Sequence, residues 1–187
     1  MNTLKVIVSA LALSALTFGC AGSSSDPLTD PGRTASGASA EAPTDAVAMV
    51  RAGGTFAFSL DESGPAAAIR EGCQKSDPAD PAGCYARVRA QGAQEKIKLA
   101  GDGAGHVVFT SFGPEEGRET VWIEIPLDVA ADGTRAVVGT PAGPVKGTWA
   151  DKPRPAGATL RFEVIDATTI VTIDPKKGRL VYHRVGG

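Results

Sequence analysis

Few residues of this 187-residue chain combine types and spacings that suit chemistry. Cys73 and Cys84 stand with ten residues between them. Two thiols at that distance form either a local disulfide or half of a metal site. A metal needs further ligands, and the only histidines, His106 and His183, are distant singles. The disulfide is therefore favoured and no metal site is expected. A closed loop of that size stabilises by roughly 2.5–3 kcal/mol on the chain-entropy account. His106 or His183 would act as a general base only if folding brought a nucleophile to it. Glu124 and Glu163 would make an acid/base pair if both pointed into one cavity. Glu124 alternates with Val121, Ile123 and Ile125, however, and Glu163 lies between Phe162 and Val164, so both read as solvent-facing. Asp77 and Asp80, set among prolines, fall well short of a calcium loop.

Trp122 and Trp149 are the two tryptophans of the chain. A tryptophan on the polar face of a strand can anchor a ligand or partner. The structural alternative packs Trp122 under a helical insert. Gly139 to Thr148 resembles a phosphate-binding loop only on the surface. That loop needs Gly-Lys followed directly by Ser or Thr, whereas here Val145 precedes Lys146 and Gly147 follows it. Gly101-Asp102-Gly103-Ala104-Gly105 has its third glycine one place early for a dinucleotide fingerprint. No Gly-x-Ser-x-Gly and no His-Glu-x-x-His occurs in the sequence. No catalytic residue and no cofactor are expected. Lys176, Lys177 and Arg179 form a basic turn that reads as a solubilising hairpin tip.

The elements that must position these residues are mostly strands. Thr55 to Leu60 alternates, with Phe56, Phe58 and Leu60 on one face. Pro65 to Gly72 predicts a short helix, with proline at its start and glycine at its stop. Asp80 caps a second helix with Pro81 at its first position, running to about Gln91. A Cys73–Cys84 bond would tie these helices together. Strands then follow in series: Lys96 to Leu99, His106 to Phe112, Thr120 to Ile125, Thr134 to Val138, Thr159 to Ile165, Thr168 to Ile173 and Arg179 to Val185. Val121, Ile123 and Ile125 are expected on one face of the third of these, Trp122 and Glu124 on the other. Pro126 is expected to end it or to mark a sheet edge. Short strands with frequent turns predict a mainly β, antiparallel meander or small barrel of about 7–8 strands, with a disulfide-tied helical insert after the first strand.

The start of the chain carries an address. One cation, Lys5, precedes the apolar run Val6 to Phe18, and Gly19-Cys20-Ala21-Gly22 follows. This is the layout of an export signal, and the run is too short to span a bilayer as a helix. Ala21 to about Asp45 is built of small and polar residues that bury too little surface to order themselves. The reading is a signal at 1–19, a tether at 20–45 and one β-rich domain at 46–187. A cysteine closing such a run resembles the lipobox of bacterial lipoproteins. The likeness lacks the usual leucine three places before the cysteine, where Thr17 stands. It implies lipidation of Cys20, a membrane anchor, and, with Ala21 rather than aspartate next, sorting to the outer membrane. Lipidation also resolves the odd count of three cysteines. The alternative is ordinary cleavage near Ala21 and a soluble periplasmic or secreted protein.

Formal charge is −2, and −3 once Lys5 leaves with the signal. Neither sign dominates, so no nucleic-acid partner is expected. The order strand, two helices, meander resembles small calycin-type barrels, whose helical pair lids a cavity. Fold likeness alone says little about activity. The leading reading is a non-catalytic envelope binding domain with a protein or envelope component as partner. A carrier of a small apolar ligand is the alternative, and a small hydrolase is the third. Replacing Cys20 by Ser should move the protein from the membrane to the soluble envelope fraction, as fractionation and blotting would show.

Overall fold

The computed structural model describes residues 45–153 and 157–186. The expected signal, Cys20 and nearly all of the expected tether lie outside those residues. Chain order is α1 (Ala46–Ala52), β1 (Gly54–Ser59), α2 (Ala66–Ser76), α3 (Pro81–Gly92), then β2 (Lys96–Gly101), β3 (Val107–Glu115), β4 (Arg118–Ala131), β5 (Ala136–Pro141), β6 (Leu160–Val164), β7 (Thr169–Asp174) and β8 (Gly178–Arg184). Each strand pairs antiparallel with the next, and β8 returns to β1, so the sheet is a closed eight-stranded barrel. The closing register sets Phe56 opposite Arg184 and Phe58 opposite Tyr182. Closure leaves no unpaired edge among these strands.

Inward positions alternate along every strand. Phe56, Ile97, Leu99, Val107, Phe109, Ile125, Leu127, Val137, Phe162, Val164 and Ile170 belong to one buried core, which reaches the barrel end where β1 begins. Helix α1 plugs that end. Asp45 caps it by accepting from the Val47 and Ala48 N–H groups at 3.0 and 3.1 Å. Ala46 and Val50 are buried in the same core. Gly53 ends the helix at φ +70°, where a side chain would overlap the Leu99 carbonyl. The sequence reading missed this helix because one buried turn and a half leaves too short a periodic signal.

The opposite end is covered by α2 and α3, joined by the Cys73–Cys84 disulfide with a Cα separation of 5.7 Å. Helix α2 runs four residues past the expected stop at Gly72, carrying Cys73 inside its last turns. Helix α3 begins as expected, with Asp80 accepting from the Gly83 N–H at 2.8 Å. The turn after β1 fastens the hairpin. Asp61 accepts from the Tyr85 hydroxyl at 2.8 Å and from Arg70 and Arg89 at 3.3 Å. Ser63 donates to the Ser59 carbonyl and accepts from the Val181 N–H, across the barrel seam.

Two expectations fail in β4. Pro126 does not end the strand, which is fourteen residues long. The Pro126 carbonyl accepts from Ala142 N–H at 2.8 Å, so its missing N–H lies on that same side, where β5 has given way to loop. On its other side Pro126 keeps its place in the β3 ladder, opposite Val108. Second, a bulge shifts the register between Ser111 and Phe112, so that Ser111 faces Ile123 but Phe112 faces Val121. The extra residue is Trp122. It turns inward and is 8% exposed, while Val121 turns outward at 41%.

Val50 is fully buried at the plugged end. Val50→Ala should lower stability by about 2 kcal/mol, from lost transfer energy plus a residual void. Urea denaturation of the barrel domain, followed by far-UV circular dichroism, measures it.

Candidate functional site

The half of the barrel beneath α2 and α3 is not filled. A partly enclosed cavity of about 190 Å³ lies there. Its barrel wall comes from Phe58 on β1, Ser111 on β3, Trp122 on β4, and Leu180 and Tyr182 on β8. The hairpin supplies Ile69, Val88 and Gly92 as a lid. Glu95 and Lys96, where α3 gives way to β2, and Lys177 of the β7–β8 turn also line it. The surface is mainly apolar, with a few polar groups set into it, which is the composition of a small-molecule site.

The aromatic residues occupy two walls. Phe58 and Tyr182 sit as a cross-strand pair with ring centroids 5.5 Å apart. Trp122 and Trp149 stack almost parallel, 4.8 Å apart with an interplanar angle of 5°. The Trp149 N–H of the backbone donates to the Trp122 carbonyl at 2.9 Å, which holds the β5–β6 loop against the bulge. Gly113 is needed beneath this stack, because a Cβ there would overlap the Trp122 ring. The Lys152 ammonium lies 3.9 Å from the centre of the Trp149 ring. The tertiary fold thus brings together the two tryptophans singled out by their rarity, and both line the cavity.

The functional group that sequence reasoning missed is Glu95. It shares the inward parity of Ile97 and Leu99, one step before the observed strand. Its backbone carbonyl accepts from the Phe58 N–H at 2.9 Å, continuing the β1–β2 ladder. Extending the Ile97/Leu99 alternation backwards by two residues would have found it. The Glu95 carboxyl makes no hydrogen bond or ion pair within the described residues. Burial pushes it up from 4.5 to about 7, and the Lys177 charge pulls the other way. The Tyr182 hydroxyl is likewise pushed up by burial and by Glu95, against a hydrogen bond with Thr172.

The remaining sequence candidates fall elsewhere. His106 lies in the β2–β3 turn, 3.0 Å from Asp102 and 3.4 Å from Asp128. His183 lies on the outer face of β8. Its ring bridges Glu62 at 2.7 Å and the Thr169 hydroxyl at 3.3 Å, tying the β1–α2 turn to the barrel. Glu163 pairs with Arg179 at 2.7 Å and Glu124 approaches Lys146 at 3.7 Å, so neither enters the cavity. Asp77 and Asp80 share Arg87 at 2.8 and 3.5 Å. Among the described residues no cluster of three His, Cys, Asp or Glu side chains is arranged to hold a metal ion.

No family profile, curated protein or solved structure matches this chain. The site is therefore read from its own chemistry.

The raised Glu95 carboxyl has a consequence for stability. The folded state holds the proton more tightly than the unfolded chain, so its stabilising effect is complete below pH 4.5 and is lost as pH rises through about 7. The barrel domain should become less stable from about pH 5 to about pH 8, by at most roughly 3 kcal/mol. Glu95→Gln should flatten that slope. Denaturation midpoints across the pH range for both proteins measure it.

Proposed function

We propose that this chain is an exported, lipid-anchored binding protein whose barrel holds a small apolar molecule beneath its helical hairpin. The observation that carries this reading is the division of the interior. One part is a packed core in which Phe56, Leu99, Leu127 and Phe162 are fully buried. The other keeps a cavity of about 190 Å³ walled by Phe58, Trp122, Leu180 and Tyr182. A dry apolar cavity of roughly 150 Å³ takes up benzene. A molecule the size of one substituted aromatic ring matches the space here. A domain acting only through its outer surface has no use for such a void, since unfilled interior volume costs stability. His106 and His183 both lie outside the cavity, which gives the hydrolase reading no support from this site.

The anchoring half of the proposal rests on the sequence. Cys20 would carry the acyl chains. The Gly/Ser-type segment behind it, about 25 residues long, would reach ~25–30 Å and hold the barrel clear of the membrane. The outer membrane is the favoured destination, with Ala21 following the cysteine.

Toluene is a suitable first probe. Both tryptophans line the cavity, so its entry should change the intrinsic fluorescence in a saturable way. Gly92 faces Phe58, and a Cβ on it would lie 3.3 Å from that ring. Gly92→Met should therefore fill the cavity and abolish the toluene response while leaving the circular dichroism spectrum intact. A wild-type domain blind to toluene would end the proposal.

A further inference from the structure

The cavity contains one feature that a purely apolar ligand leaves unexplained. Glu95 points inward on the barrel register, yet its carboxyl has no hydrogen-bond or ion-pair partner within the described residues. Glu95 is half-buried, so its carboxylate gives up part of its hydration, which the Lys177 charge offsets only in part and a cationic ligand would offset further. We infer that the ligand is a small organic cation, an amine whose ammonium pairs with the Glu95 carboxylate while its apolar body lies among Phe58, Trp122, Leu180 and Tyr182. This rests on the binding-cavity reading above and specifies its ligand class.

Two further observations support the choice of cation. Aromatic faces attract positive charge, and four aromatic residues line this space: Phe58, Trp122, Trp149 and Tyr182. One ammonium already exploits them, since Lys152 lies 3.9 Å from the centre of the Trp149 ring. The other titratable groups of the wall do not take the place of a ligand cation. Lys96 is held by Glu119 at 3.2 Å and lies over Phe112. Tyr182 is buried and bonded to Thr172. Lys177 belongs to the β7–β8 turn and makes no ion pair with Glu95, although its charge is felt there. On the lid, Arg70 and Arg89 are engaged by Asp61. The helices present Ile69 and Val88 to the cavity. An anionic ligand would have to face Glu95.

Burial of Glu95 makes the same interaction sensitive to pH. At about pH 8 the carboxyl is ionised and ready for an ammonium. At about pH 5.5 it is protonated and the attraction is lost.

The test compares benzylamine, toluene and benzoate, which share a ring and differ in charge, by tryptophan fluorescence and calorimetry on the mature domain. At about pH 8 benzylamine should bind at least tenfold more tightly than toluene, and benzoate more weakly than either. The benzylamine preference should fall at about pH 5.5. It should disappear in Glu95→Gln, in which benzylamine and toluene should bind alike. If toluene binds and benzylamine binds no better, or benzoate binds best, the cation inference is overturned and the cavity reading stands. If Glu95→Gln keeps the benzylamine preference, Glu95 is not its cause and the inference is overturned. If none of the three binds, both readings fall together.

Discussion

The pairing of β1 with β8 is the constraint on which the rest of the molecule depends. It sets Phe56 to Ser59 against Val181 to Arg184 and turns an open meander into a barrel. Until that seam closes there is no interior, only two faces of a sheet. Once closed, eight strands enclose a volume that side chains must fill or leave empty. The chain is poor in aromatic residues, and of those described only Phe56 and Phe162 are fully buried, in the half of the barrel that α1 packs against. The other half is finished by the hairpin of α2 and α3 instead of by core side chains. The cavity follows from that division.

The lid is fastened from both directions. Asp61 and Ser63, in the turn leaving β1, hold the hairpin and the barrel seam respectively. The charge-assisted contacts of Asp61 keep its carboxyl below the usual carboxylate range, chiefly through the Tyr85 hydroxyl and then Arg89 and Arg70. These contacts are exposed, so they orient the helices more than they stabilise the fold. The disulfide then makes the two helices one body. Any movement that admits a ligand would move the hairpin as a unit about the β1–α2 turn and the α3–β2 junction. Glu95 sits at that second junction. The group proposed to recognise the ligand thus lies where the covering hairpin rejoins the barrel.

Local features of the fold were legible in the residues, and the exceptions are instructive. Strand β1 was visible in the alternation of Phe56, Phe58 and Leu60, and α3 in the Asp80-Pro81 start. The cysteine spacing indicated the disulfide. Helix α1 was hidden because Asp45 to Gly53 contains little more than two turns. Trp122 was placed on the outer face because alternation assumes an unbroken pleat. One bulge opposite Phe112 shifts the register and reverses the facing of every residue before it in β4. Glu95 was overlooked because it precedes the strand in sequence and meets its apolar neighbours only across β1 and β8. His183 and Glu62 are 121 residues apart, and no local pattern joins them.

The sequence alone determines the residue types, their local periods and the turn chemistry, because these depend on neighbours a few places away. It therefore specifies short antiparallel strands and a helical pair linked by cysteines. Which face of each strand becomes the inside was decided only by the tertiary structure. So were the closing of the sheet, the stacking of Trp122 on Trp149 and the exposure of Glu95 to a cavity. Inside and outside are properties of a closed surface, and that surface exists only when residues from opposite ends of the domain pair.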